Sequence, residues 1–292
     1  MDLSGKALAK EIKEEIRIEV ESYTSSGNRA PHLAAILVGE DGASRTYVKN
    51  KENACARVGF ESTILRLPDS TTEEQLLEEI EKINQNKGID GLIVQLPLPK
   101  HIDSDRITQA IDPAKDVDGF HDETIGKLTK KLDTYISATP FGIMQILERY
   151  NIETTGKHCV VVGRSNIVGR PISIIMNQGR NIGNATVTTC HRHTDNLKFF
   201  TSMADILIVA IGRPDFITAD MVKPGATVID VGITRVEADN EKGYVLKGDV
   251  DYEAVKEVAS HITPVPGGVG PMTIIGLLQN TLKSYKKTLD LE

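Results

Sequence analysis

The sequence predicts a two-domain α/β protein built on parallel sheets. Three observations carry this. Short apolar runs bounded by glycine or proline recur along the chain; each of the early ones is followed by a stretch of helical period; and one run, at Val160-Val161-Val162, ends on Gly163 ahead of a second glycine at Gly169. Strand and helix alternation of this kind implies parallel sheets with helices on both faces.

In order along the chain, Leu8, Ile12, Ile16 and Val20 recur every four residues, with Lys and Glu on the opposite face, and predict an amphipathic helix. After the turn-like Ser25-Ser26-Gly27-Asn28, the run Leu33 to Gly39 has the length of a buried strand. A helix from about Ala43 to Val58, a strand near Ser62 to Leu67 and a helix capped by Thr71-Thr72 follow. Gly91 to Leu96 reads as a further buried strand, stopped by Pro97 and Pro99. The stretch Asp112 to Ala138 lacks a clear period and is the expected domain boundary. Beyond it come a short helix after Thr139-Pro140 and strands at Lys157 to Gly163, Ala185 to Cys190, Ile206 to Ile211 and Thr227 to Val231, a rhythm that predicts a Rossmann-type doubly wound sheet. Val236 to Val245, with Asn240, Lys242 and Gly243, reads as an exposed hairpin. The last helix, about Met272 to Lys287 with Pro271 at its first position, is expected to return to the first domain. The domains are therefore drawn as 1–139, completed by 272–292, and 140–271.

Composition excludes several function classes. A net charge of −7 argues against a nucleic-acid surface, which needs a basic excess on one face, and 4% aromatic residues with no Trp argues against base-stacking platforms. No apolar run approaches the ~18 residues of a membrane span, and the N-terminus lacks a basic-then-apolar signal region, so the chain is expected to stay in the cytoplasm. Cys55, Cys159 and Cys190 form no C-x-x-C pair and read as reduced thiols.

The segment Gly163-Arg164-Ser165-Asn166-Ile167-Val168-Gly169 directly follows a buried strand. Glycines at both ends of such a turn let backbone approach a diphosphate, and the helix N-terminus that follows favours negative charge. An ordinary tight turn is the competing reading. At the end of the next strand, where an NAD-preferring fold places an acid, the chain reads Cys190-His191-Arg192-His193-Thr194. That basic cluster suits the 2′-phosphate of NADP, with Arg192 and Arg164 as partners. His191 and His193 also form a potential metal pair, but no third ligand stands at a suitable spacing, and no metal is expected. Near Asp230-Val231-Gly232-Ile233 the nicotinamide end is expected; Asp230 either caps its loop or contacts the cofactor, with the backbone at Gly232 and Ile233 the better candidate.

Tyr47 and Lys51 are four apart on a predicted helix and share a face. Short-chain dehydrogenases use the same spacing, but there it follows the nucleotide turn, whereas here it precedes it; a Tyr and a Lys on a half-exposed helix face is the plainer reading. Gln95 ends an apolar strand, where a buried amide must find partners or a ligand. Asp116 and Asp118 lie in the boundary stretch, and Pro264 to Thr273 is a rigid, glycine-dense loop able to lie against a ligand.

Six motifs in order, Tyr47-Val48-x-x-Lys51, Val94 to Pro99, Lys115 to Phe120, Gly163-Arg164-Ser165-x-x-Val168-Gly169-x-Pro171, Asp230 to Ile233 and Pro266 to Thr273, together resemble bifunctional methylenetetrahydrofolate dehydrogenase/cyclohydrolase along almost the whole chain. The resemblance implies an NADP-dependent oxidation of methylenetetrahydrofolate followed by hydrolysis of the methenyl product. It also implies a cleft between the domains, with folate held by the first and NADP by the second, and a homodimer formed through the nucleotide domains. Lys51 would be the catalytic lysine, Tyr47 would orient the folate, and Gln95 would hydrogen-bond near Lys51. Asp118 would bind the pterin, with Pro266, Gly267 and Gly268 lining the pocket. Gly163, Arg164, Ser165 and Ile233 would hold NADP, with His191 and Arg192 beside them. This chain departs from the family in three places: Ser137-Ala138-Thr139-Pro140 replaces a proline-cysteine-threonine-proline run, Met176 to Asn184 is longer than usual, and Arg192 stands where many relatives have serine. A dehydrogenase without the hydrolytic step, and a catalytically silent NADP-binding protein, are the alternatives on the same fold.

Overall fold

A computed structural model describes residues 1–39, 42–240 and 243–290. The chain forms two compact units, an N-terminal body of Lys10–Ala138 with the chain from Ile274 onward, and a central body of Thr139–Thr273 with Met1–Ala9.

The chain opens with α1 (Gly5–Ser25), whose Leu8, Ile12, Ile16 and Val20 are all buried. Then come β1 (His32–Val38), α2 (Gly42–Val58), β2 (Glu61–Leu67), α3 (Glu73–Gln85), β3 (Gly91–Val94), α4 (Ser104–Gln109) and α5 (Asp122–Thr129). The three strands pair in parallel in the order β2-β1-β3. That order reverses direction after β2, so right-handed crossovers put α2 and α3 on opposite faces. Ala34, Ile36, Leu92 and Val94 pack with Leu76 and Ile80 of α3 in one apolar core. Thr72 caps α3 in a reciprocal box, its side chain accepting from Gln75 N–H while the Gln75 side chain accepts from Thr72 N–H.

The central body runs α6 (Ala138–Arg149), β4 (His158–Val162), α7 (Gly169–Asn177), β5 (Thr186–Cys190), α8 (Leu197–Thr201), β6 (Ile206–Val209), β7 (Thr227–Asp230), β8 (Thr234–Glu237), β9 (Tyr244–Lys247), α9 (Tyr252–Val255) and β10 (His261–Ile262). Five strands form a parallel sheet in the order β10-β7-β6-β4-β5. Counted within this body the order is 2-1-3-4-5, the doubly wound arrangement whose direction reverses between its first and third strands, β4 and β6. β8 and β9 form the antiparallel hairpin expected from Val236 to Val245; Lys242, part of that expectation, lies outside the described residues. The longer segment 176–184 closes on itself, with Asn184 N–H and Arg180 N–H both donating to Gln178 O, and it leads into the amino end of β5, away from the strand ends that bear the glycine turn. All three cysteines are free and buried. Among the described residues no helix is long and apolar enough to cross a membrane.

Several strands end a residue or two inside the spans read from sequence, and two differences concern helices. The stretch 112–138 contains the helix α5, too short to display a period: only Thr124 and Leu128 are buried, and its start is set by the His121 ring accepting Glu123 N–H at 3.0 Å. The last helix, α10 (Val269–Thr288), begins two residues ahead of Pro271, because a proline anywhere in the first turn removes only an N–H that the helix does not use.

In the N-terminal body, α10 grips the chain around Asp116 to Asp118. Asn280 is 2% exposed and its amide donates to Val117 O at 2.8 Å and to Ile136 O at 2.7 Å. Nearby, Ser284 Oγ donates to Ala114 O at 3.0 Å. Replacing Asn280 with Ala would strand two carbonyls, a loss of about 1–3 kcal/mol for buried groups left unpaired. Urea unfolding of Asn280→Ala is expected to show that loss, and a midpoint equal to the parent's would rule the clamp out.

Candidate active site

Tyr47, Lys51 and Cys55 recur every four residues along α2 and so lie on one face. Lys51 is 6% exposed, and its Nζ sits 5.2 Å from the centre of the Tyr47 ring. The same amine donates to Gln95 Oε1 at 3.3 Å. Gln95 is half-buried rather than buried, and stands one residue beyond β3. Its orientation is fixed at both ends: its N–H donates to Ile36 O at 2.9 Å, and its Nε2 donates to Leu96 O at 2.7 Å, which turns the amide oxygen to the lysine. Both contacts of the Lys51 amine are thus with neutral groups. Burial holds its pKa below the ordinary lysine value, and the Asp118 carboxylate opposes that shift. Asp118 is pushed up by burial and pulled down by Lys51 in turn.

The two carboxylates of Asp116-Val117-Asp118 do different work. Asp116, 1% exposed, accepts Phe120 N–H at 3.1 Å, His121 N–H at 2.9 Å and Thr124 Oγ1–H at 2.7 Å. Burial outweighs these bonds and pushes its carboxyl up to about 6. It is the anchor of the turn. Gly119 completes that turn at φ +73°, where an added Cβ would press on the Ser137 backbone at 2.8 Å. Asp118 is left half-buried, and among the described residues its carboxylate takes no hydrogen bond. Lys51, Tyr47, Gln95 and Asp118 all belong to the N-terminal body.

In the central body, the turn after β4 starts at Gly163 with φ +129°, a conformation that favours glycine, and Gly163 N–H donates to Cys190 O at 2.9 Å. The glycines serve close packing of the chain on itself: a side chain at Gly163 would run into the Ala210 carbonyl, and one at Gly169 into the Gly163 carbonyl. The start of α7 also differs from the expected set of free donors. Ser165 Oγ accepts Val168 N–H at 3.2 Å and Gly169 N–H at 3.3 Å, Ser165 O accepts Arg170 N–H at 3.0 Å, and Pro171 has no N–H. An anion here therefore meets the exposed Arg164 to Ile167 loop and the proton of the Ser165 hydroxyl, rather than bare helix amides.

β4 and β5 pair with Val162 opposite Cys190, so Arg164 and Arg192, each two residues on, emerge at the same sheet edge. Both are exposed. Arg192 Nε donates to His193 Nε2 at 3.0 Å, and among the described residues its two terminal nitrogens take no hydrogen bond. His191 is half-buried; its Nδ1 accepts His193 N–H at 3.2 Å, and its own N–H is held by Thr194 Oγ1 at 2.8 Å. Among the described residues no group of three or more His, Cys, Asp or Glu could hold a metal.

At the end of β7 the structure resolves the choice left open for Asp230. It is 3% exposed and caps its own loop, accepting Gly232 N–H at 2.9 Å together with Asp249 N–H at 2.9 Å and Val250 N–H at 3.0 Å. Burial pushes it up to about 7. Ile233, by contrast, is 58% exposed. In the loop after β10, Pro266 is exposed and Gly267 half-buried, but Gly268 is buried, where a Cβ would meet Pro264 O at 2.6 Å. Gly268 is there for packing, so the accessible part of the loop is Pro266 and Gly267. Sequence reasoning missed Asn280 and Asp249, whose partners lie far along the chain.

The two segments that carry these residues match known proteins. The tetrahydrofolate dehydrogenase/cyclohydrolase catalytic-domain model matches residues 3–118, and the NAD(P)-binding-domain model of the same family matches 137–289. The bifunctional protein FolD of Flavobacterium johnsoniae is 58% identical over 285 residues, covering 97% of each chain. The crystal structure of the bifunctional methylenetetrahydrofolate dehydrogenase/cyclohydrolase FolD from Campylobacter jejuni aligns with a TM-score of 0.92 at 45% identity, covering 98% of this chain and 99% of that one. The Trypanosoma brucei enzyme, solved with NADP cofactor and an inhibitor, aligns with a TM-score of 0.93 at 35% identity, covering 99% and 98%. With both halves matched in order and relatives aligned nearly end to end, the chain belongs to the tetrahydrofolate dehydrogenase/cyclohydrolase family.

Proposed function

We propose that this protein oxidises 5,10-methylenetetrahydrofolate to the methenyl compound with NADP and then hydrolyses that product to 10-formyltetrahydrofolate. The observation that carries this reading is the buried Lys51 amine hydrogen-bonded to a neutral amide. A lysine on a half-exposed helix face would be charged and solvated; this one is desolvated, and burial shifts it toward the neutral form that a base requires.

The residues suit both steps. The reacting methylene carbon lies between two nitrogens whose lone pairs stabilise the cation left behind, so oxidation asks for alignment more than for a base. NADP supplies the hydride acceptor. Tyr47 offers a ring face for the folate, and Asp118, lacking a protein hydrogen-bond partner among the described residues, is free to pair with the pterin. In the hydrolytic step a water adds to the cationic carbon and the neutral Lys51 takes its first proton; the resulting ammonium passes that proton to the ring nitrogen, whose bond to carbon breaks as the carbonyl forms and the hydroxyl proton leaves to solvent. A cationic substrate beside the lysine lowers its pKa further. Gln95 holds the amine without adding a charge that would keep it protonated. A dehydrogenase lacking hydrolysis has no use for this pair.

On the central body, Gly163 sets the turn from which Arg164 and Ser165 would receive the diphosphate; Arg192 and Arg164 would take the 2′-phosphate, with His191 beside Arg192, and Ile233 would line the nicotinamide side. Assembly as a homodimer through this body, in the cytoplasm, completes the reading and is carried by the family resemblance alone. Light scattering should give twice the 31.9 kDa of one chain, and a single-chain mass would remove the dimer.

Two substitutions separate the roles. Lys51→Met should lower methenyl hydrolysis by roughly 10²-fold or more, the usual worth of a general base, while NADP binding stays within twofold; hydrolysis equal to the parent's would defeat the role given to Lys51. Arg192→Ala should reduce the NADP-over-NAD preference in kcat/KM by about tenfold, the worth of one charge-assisted bond. An unchanged ratio would take Arg192 out of the cofactor site.

A further inference from the structure

The loop that follows β6 flanks the point where the sheet order reverses: Ala210 N–H donates to Val162 O at 2.8 Å, and its carbonyl packs on Gly163. A cofactor placed by the doubly wound rule lies against this loop. Three successive backbone N–H groups there do not face solvent. Ile211 and Gly212 donate to Asp249 Oδ2 at 2.7 and 3.0 Å, and Arg213 donates to Asp249 Oδ1 at 2.7 Å. Successive N–H groups converging on one point form a nest of the kind that binds phosphates in other proteins. Here the nest is filled from inside by a carboxylate with no exposed surface.

That carboxylate is itself held in place. The Asp249 N–H is taken by Asp230 Oδ1, which also takes Gly232 N–H, so one pair of acids ties the loop after β6 to the loop after β7. Gly232 leaves no room for adjustment, since a Cβ there would run into the Asp249 carboxyl. Thr263 Oγ1 accepts Asp230 N–H at 2.8 Å and links the same network to the start of the glycine-rich loop. Meanwhile Gly212, Arg213 and Ile233 remain exposed on the outer side.

Resting on the reading above that the central body binds NADP, we infer that Asp249 is a positioning residue that reserves the loops after β6 and β7 for the uncharged nicotinamide-riboside half of the cofactor. With the nest already occupied by an anion, a diphosphate is turned away from 211–213 and left to the loop Arg164 to Ile167 beside it. With the N–H groups of Ile211, Gly212, Arg213, Val231 and Gly232 already bonded, the loops after β6 and β7 are suited to the hydroxyl and amide donors of the nicotinamide riboside. Asp249 touches no cofactor atom itself.

Fragment binding tests this on the full chain. Isothermal titration would compare NADP with 2′,5′-ADP, which carries the 2′-phosphate and adenosine but lacks the nicotinamide half. Asp249→Asn puts an NH2 among three N–H donors, and NADP affinity is expected to fall about tenfold while 2′,5′-ADP affinity stays within twofold. NADP affinity unchanged, or both ligands weakened equally, would overturn the inference. Gly232→Ala provides a second perturbation, since it displaces the same carboxylate without removing it; the same split between the two ligands is expected, and its absence again counts against Asp249. A parent protein that binds neither ligand would instead defeat the NADP reading itself.

Discussion

An amine buried against a neutral amide is the interaction around which the candidate site of the N-terminal body is built. Lys51 could have been paired with a carboxylate hydrogen-bonded to it, and a pair of that kind would keep the lysine charged and useless as a base. Instead Gln95 Oε1 is the acceptor, and Asp118 acts on the amine only through its charge. Burial then works against the ammonium form. The helix α2 carries the amine, the strand β1 fixes Gln95 through Ile36, and the turn built on Asp116 sets where Asp118 stands.

The same device recurs in both bodies. A buried acid collects backbone N–H groups and freezes a loop, so that a neighbouring group can act. Asp116 does this for Asp118, and the Asp230 and Asp249 pair does it for the loops after β6 and β7. Such acids satisfy buried donors that a loop cannot pair with its own carbonyls. Glycine marks the places where the resulting contacts become too close for a side chain, at Gly119 against Ser137 and at Gly232 against Asp249. In the turn after β4, too, the glycines and Ser165 serve the fold first, and what remains accessible is an exposed loop and two arginines.

Much of this was legible in the sequence where a short-range rule applies. The strands β1, β3 and β4 are continuous apolar runs, α1 shows its period, and the four-residue spacing of Tyr47 and Lys51 puts them on one helix face. Gln95 stood out as an amide at the end of an apolar strand, although its half-buried position past the strand was not. What escaped depends on partners distant in the chain. Asp116 and Asp118 look alike until the N–H groups of Phe120 and His121 choose one of them. Asn280 carries no signal of its own, since the carbonyls it serves lie at Val117 and Ile136. Asp249 is one acid among many until the chain brings residues 211–213 around it.

The central claim is that the Lys51 amine is held below the ordinary lysine range. It can be read directly by isotope labelling of the lysine side chains and NMR titration of the full chain, with Lys51→Met assigning the resonance. The account predicts a Lys51 signal that titrates below the ~10.4 typical of a solvated lysine. A midpoint at or above that value would contradict it.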